Sequence, residues 1–125
     1  MTKTLTIKIK SVGEAMEDFR HAFRAAKAGR RVTRREGVYF TSIEAARNLL
    51  TPARLGLLRS IRTKRPRSTY ELAKTLKRDF KNVQQDLRLL ERYGLVRITT
   101  RRGRGARRAK VPEALFGEIA LKIAI

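Results

Sequence analysis

Three helix starts follow one another between Thr51 and Asp79, and no other feature of the chain constrains its fold as tightly. Thr51-Pro52 pairs an N-cap residue with proline at the first helical position, where the missing N–H would have had no partner anyway. The helix it opens carries Leu55, Leu58 and Ile61 as its apolar stripe and should fade near Lys64, with Pro66 in the following loop. Ser68-Thr69-Tyr70-Glu71 has the form of a capping box and starts a short helix that turns Leu72, Ala73 and Leu76 inward. After Lys77-Arg78, Asp79 can cap a longer helix that runs to Tyr93 and stops at Gly94. Leu95–Thr100 then reads as a strand and Arg101–Arg108 as a glycine-rich basic loop. Ala109–Val111 reads as the returning strand, ended by Pro112. This order of elements is that of a winged helix, with its helix-turn-helix across Leu76–Asp79.

The flanks add strands and helices of their own. Thr4–Lys10 alternates, with Leu5, Ile7 and Ile9 on one face, which is the signature of a half-buried strand. From Gly13 to Ala28 the spacing becomes helical through Ala15, Phe19, Ala22, Phe23 and Ala26, and Gly29 is a suitable stop. A basic turn at Arg30–Arg35 leads to a short strand at Val38-Tyr39-Phe40, and Ser42 can cap a helix over Ile43–Leu50. After Pro112, Ile119, Leu121, Ile123 and Ile125 alternate with smaller or polar residues as a closing strand. The fold class is therefore α+β: a winged helix-turn-helix with an N-terminal strand-helix-strand extension and a C-terminal strand. The expected divisions are 1–50, 51–112 and 113–125. The apolar terminal strands are candidates for assembly of two copies, or for pairing within one chain.

Composition narrows the function. The chain has no cysteine and a single histidine, His21, so thiol chemistry and cysteine-ligated zinc are excluded. No apolar run reaches the roughly 20 residues of a membrane span, and the alternating N-terminus does not resemble a signal peptide. A cytoplasmic, nucleoid-associated protein with no cofactor is expected. Neither an acid/base pair nor a nucleophile beside its base appears, so no enzyme is expected. The net charge is +20, and its distribution is uneven: residues 51–110 hold 19 Lys and Arg against 4 Asp and Glu. Such a concentration favours a polyanion, because neutralising phosphates releases condensed counterions.

The helix after Asp79 carries the sharpest candidate site. At 100° per residue Val83, Leu87 and Leu90 share one side, while Lys81, Gln85, Arg88 and Arg92 share the other, flanked by Asn82 and Gln84. Any surface helix is polar opposite its core, but this stripe contains no acid. Arginine and lysine suit guanine edges and phosphates, and Gln and Asn can pair with adenine. In the proposed wing, Arg101, Arg102, Arg104, Arg107 and Arg108 alternate with Gly103 and Gly105, a composition suited to phosphates or a narrow minor groove. Lys77 and Arg78, with Lys74, are phosphate candidates at the turn. Arg59, Arg62, Lys64, Arg65 and Arg67 have weaker claims, and Tyr39, Tyr70 and Tyr93 read as packing residues.

At Thr51-Pro52-Ala53-Arg54-Leu55, Tyr70-Glu71-Leu72-Ala73, Asp79–Leu87 and Leu90–Val96, the chain resembles the MarR-like winged-helix DNA-binding proteins of archaea and bacteria. Those proteins pair this core with a short N-terminal strand-helix-strand extension. The resemblance implies double-stranded DNA binding, and some members resemble TumA-type antitoxins, which accompany a TumE-type toxin and repress their own operon. The reading is a homodimeric, sequence-specific transcriptional repressor with its recognition helix at 79–93 and its wing at 101–108. The alternatives are an autoregulating antitoxin with a cognate toxin as partner, or a chromatin or RNA binder without sequence preference.

Overall fold

The alternating N-terminal run forms strand β1 (Thr4–Ile9) in the computed structural model, which describes residues 3–29, 38–102 and 108–125. It is followed by α1 (Val12–Lys27), β2 (Val38–Phe40), α2 (Ile43–Leu49) and α3 (Pro52–Lys64). Then come α4 (Thr69–Leu76), α5 (Phe80–Arg92), β3 (Val96–Arg102), β4 (Arg108–Ala114) and β5 (Glu118–Ile123). The basic turn expected at Arg30–Arg35 lies outside the described residues, as do Gly103–Arg107 of the expected wing. The chain divides into two units, one of residues 49–117 with the first three residues, the other of 4–48 with 118–125. The C-terminal strand is therefore part of the N-terminal unit rather than a separate piece.

In that unit β1 is the middle strand of a parallel sheet ordered β2-β1-β5. Ile7 and Ile9 are level with Val38 and Phe40 on one side, and Leu5, Ile7 and Ile9 with Ile119, Leu121 and Ile123 on the other. Partners level across a parallel ladder share a face, so the sheet has one apolar face, on which Leu5, Ile7, Ile9 and Phe40 are buried. Of the two roles open to the terminal strands, pairing within the chain is the one adopted, which corrects the expectation that β1 offers an edge for assembly. The Thr4 hydroxyl donates to Glu118 Oε2 at 2.7 Å across the same pair of strands. Helix α1 begins where the Ser11 hydroxyl accepts from the Glu14 N–H and ends before Gly29, whose φ of 73° suits glycine. Lys10 forms an ion pair with Asp18 of this helix.

The second unit has the winged-helix order. Thr51, Ser68 and Asp79 each cap the helix expected of them, accepting from the N–H of Arg54, Glu71 and Asn82. The core joins Leu57 and Ile61 of α3, Leu72 and Ala73 of α4, and Val83, Leu87 and Leu90 of α5 to Leu95, Val96 and Val111. Leu57 replaces Leu55 and Leu58 as the deepest residue of α3, because neighbours on both sides decide which face of a leucine-rich helix is inside. The buried Thr69 hydroxyl donates to Lys110 O and ties the start of α4 to β4.

Strands β3 and β4 are longer than expected. They pair antiparallel from Val96↔Ala114 to Arg102↔Arg108, and β4 passes through Pro112 instead of ending there. The reason lies in the ladder. Pro112 is level with Ile98, whose N–H donates to Glu91 Oε2 and so points away from β4. In such a non-hydrogen-bonded pair the missing proline N–H also faces away from the partner strand, and no ladder bond is lost.

Two helix ends hold a non-glycine residue in the left-handed region, Arg65 at φ 44° and Lys77 at φ 54°. That conformation is disfavoured for residues with a Cβ by roughly 1–2 kcal/mol, and glycine escapes it at some entropic cost. Arg65→Gly is accordingly expected to raise stability by about 1 kcal/mol, read as a higher urea midpoint with an unchanged slope. An unchanged or lower midpoint would contradict the strain assigned to this turn.

Candidate nucleic-acid interface

Helix α5 is fixed from one side and open on the other. Val83, Leu87 and Leu90 are fully buried, while Lys81, Asn82, Gln85, Arg88 and Arg92 are exposed and Gln84 is half-buried. At 1.5 Å per residue the helix is about 20 Å long, a length compatible with lying in a major groove. Of its two acids, Asp86 is shielded, while Glu91 is exposed beside the stripe and lines the groove next to it. Asp86 accepts from Arg54 Nε at 3.1 Å and from Arg78 Nη2 at 2.7 Å, so its carboxylate is held between α3 and the helix-turn-helix turn. Glu91 is engaged by the backbone N–H of Ile98 at 3.2 Å, which fixes the start of the hairpin against α5.

This arrangement changes what Arg78 can do. Grouped with Lys77 as a phosphate ligand on sequence grounds, it is turned toward Asp86, and its Nη1 is buried without a hydrogen-bond partner among the described residues. The guanidinium thus helps to position α5. Lys77, one residue earlier, is exposed at the end of α4 and remains available. Lys74, Arg59, Arg62, Lys64, Arg65 and Arg67 are all exposed as well.

The hairpin brings Arg102 and Arg108 level with each other next to the connection. Arg101 donates to Glu113 Oε1 at 2.8 Å on the surface, a pair weak enough to exchange for a phosphate. Arg104 and Arg107 lie outside the described residues. Between α5 and the hairpin runs a groove of about 650 Å³, lined among others by Tyr70, Gln84, Arg88, Thr100, Arg108 and Lys110. Sequence spacing did not join these residues, since they come from α4, α5, β3 and β4. Tyr70 is also not a core residue: its ring is exposed and meets Phe80 at a centroid distance of 6.2 Å. Its place at the second position of α4, across the helix from Leu72 and one turn before Lys74, is the available signal.

A family model matches residues 49–121, more than half the chain and all of the 49–117 stretch that holds α3 to β4. The chain belongs to the HVO_A0114 family. In this family member the matched region takes in every described residue of the basic stripe and of the hairpin. A solved structure described as a possible transcriptional regulator from Methanosarcina mazei Go1 is similar over 62% of this chain and 68% of its own, at 20% identity and a TM-score of 0.47. No curated protein matches the chain. No helix among the described residues is long and apolar enough to cross a membrane.

Proposed function

We propose that this protein binds double-stranded DNA in a sequence-specific manner and acts as a transcriptional repressor, a non-enzymatic role without cofactor. The observation that carries the reading is the open stripe of α5, where Lys81, Gln85, Arg88 and Arg92 share a face that contains no acid, with Asp86 held by Arg54 and Arg78 and Glu91 set to one side against the Ile98 N–H. Groove reading needs donors and amides presented together on a rigid element, with no carboxylate to repel phosphate. In this reading Gln85, Arg88, Asn82 and Gln84 face base edges. Lys81, Lys77 and Arg92 reach phosphates, as do Arg101, Arg102, Arg104, Arg107 and Arg108 of the hairpin and its connection. A homodimer placing two such helices about 34 Å apart would read two half-sites.

Selection from a randomised duplex library tests the reading. Enrichment of a two-fold motif is expected, and recovery of random sequence would contradict it. The hairpin has a distinct signature. Neutralising Arg104 and Arg107, or Arg102 and Arg108, is expected to weaken all duplexes alike and to reduce the slope of log affinity against log salt by about 2. The TumA-type resemblance carries a second reading, an autoregulating antitoxin. Co-purification with the product of the adjacent gene, and rescue from its toxicity, would favour that role over simple repression.

A further inference from the structure

Helix α1 is inverted with respect to its own composition. Three of its four alanines, Ala15, Ala22 and Ala25, are its half-buried residues, while its large apolar side chains are open. Val12, Met16, Phe19 and Phe23 are 63%, 49%, 65% and 61% exposed, and no residue of the helix is fully buried. At 100° per residue the four lie within roughly 60° of arc, beside the alanine face and not on it. Phe19 and Phe23 stack on each other at 6.5 Å with nothing over them among the described residues. Scattered exposed apolar residues are ordinary, but a continuous stripe of this kind marks an interaction surface.

We infer that this stripe is the interface between two copies of the chain, packed as an antiparallel helix pair about a two-fold axis between Met16 and Phe19. Three observations select a second copy as the occupant. The intervals of four, three and four residues are those of a heptad seam, which fits another helix. The same intervals read identically in reverse, so an antiparallel copy sets Val12 against Phe23 and Met16 against Phe19, a smaller side chain facing a phenyl ring in every layer. An isologous interface requires this self-complementarity. Finally, α1 carries Glu14, Glu17 and Asp18 against Arg20, Arg24 and Lys27 and is neutral, so two copies can meet here without the repulsion that the basic 51–110 region would bring.

The area is consistent with such a contact. With fully exposed aromatics offering up to about 250 Å² each, the four side chains supply on the order of 450 Å² of apolar surface per copy. That is roughly half of what each partner contributes to a standard interface, and the charged flanks of the helix would form its polar rim. The inference rests on the proposed function only for its consequence on DNA, since the association itself requires none.

Sedimentation of the full chain at micromolar concentration is the test. The native protein is expected to be a dimer, and the F19E/F23E double variant a monomer with unchanged far-UV circular dichroism. Because the chain lacks cysteine, pairing direction can be read separately. A mixture of M16C and F19C chains should form a disulfide-linked heterodimer on mild oxidation, and each variant alone should crosslink far less. A monomeric native chain, or a charged double variant that stays dimeric, would overturn the interface. Equal crosslinking of M16C alone would overturn its antiparallel form. A monomer that still selects a DNA motif would remove the interface and leave the proposed function standing. A dimer without DNA preference would do the reverse.

Discussion

Replacing Asp86 with alanine is expected to lower folding stability by about 3 kcal/mol, a large share of the 5–15 kcal/mol that holds a domain of this size together. The carboxylate is the common partner of Arg54 and Arg78, at 3.1 and 2.7 Å, and all three side chains are mostly shielded from water. Removing it takes the counter-charge from Arg78, whose Nη1 is already buried without a hydrogen-bond partner among the described residues, and from Arg54, which keeps its bond from Nη1 to Leu49 O. The solvent that still reaches the arginines keeps the expected loss at the lower end of the range for buried ion pairs. Asp86→Asn should fall between native and alanine, since the amide oxygen can still accept one bond. Urea unfolding followed by circular dichroism measures all three. A loss below about 0.5 kcal/mol for the alanine variant would show that the trio is an ordinary surface cluster.

The second large effect concerns DNA. Gln85→Ala and Arg88→Ala are each expected to cost about 1–3 kcal/mol at the preferred site, the value of one bidentate base contact. For Gln85→Ala, affinity for random duplex should hardly move, because an amide contributes nothing to counterion release. For Arg88→Ala, random affinity falls modestly along with the lost charge. Both residues lie on the exposed side of α5, so neither change should alter the unfolding midpoint. If the hairpin variants shifted sequence preference while these two did not, the division of labour between helix and hairpin would be reversed.

Local chemistry was the legible part of this chain. The caps at Thr51, Ser68 and Asp79 act over three residues, so the starts of α3, α4 and α5 could be placed from sequence, and the opposed stripes of α5 followed from helical geometry. What the sequence hid were relations over long separations. The alternation of the last residues announces a strand but not its partner, and β5 lies level with β1, more than a hundred residues away. Pro112 looks like a strand end until the Glu91–Ile98 bond shows which way its missing N–H faces. Arg78 looks like a phosphate ligand until Asp86, on the next helix, is seen to hold it. Phe19 and Phe23 have the spacing of core residues, and only the fold shows that alanines took the inner face of α1 instead. Tyr70 looks like a packing residue because its exposure at the start of α4 depends on where the hairpin runs.

In the proposed function α5 reads base sequence while the basic hairpin supplies general affinity. The most direct test is one titration of the native protein against a selected duplex, a random duplex and a single-stranded RNA across a salt series. A preference for the selected duplex of about 10³-fold or more is expected to persist as salt rises, above a steep salt dependence shared by both duplexes. Equal affinities with equal salt slopes for all three ligands would contradict it and leave only a basic protein that binds polyanions.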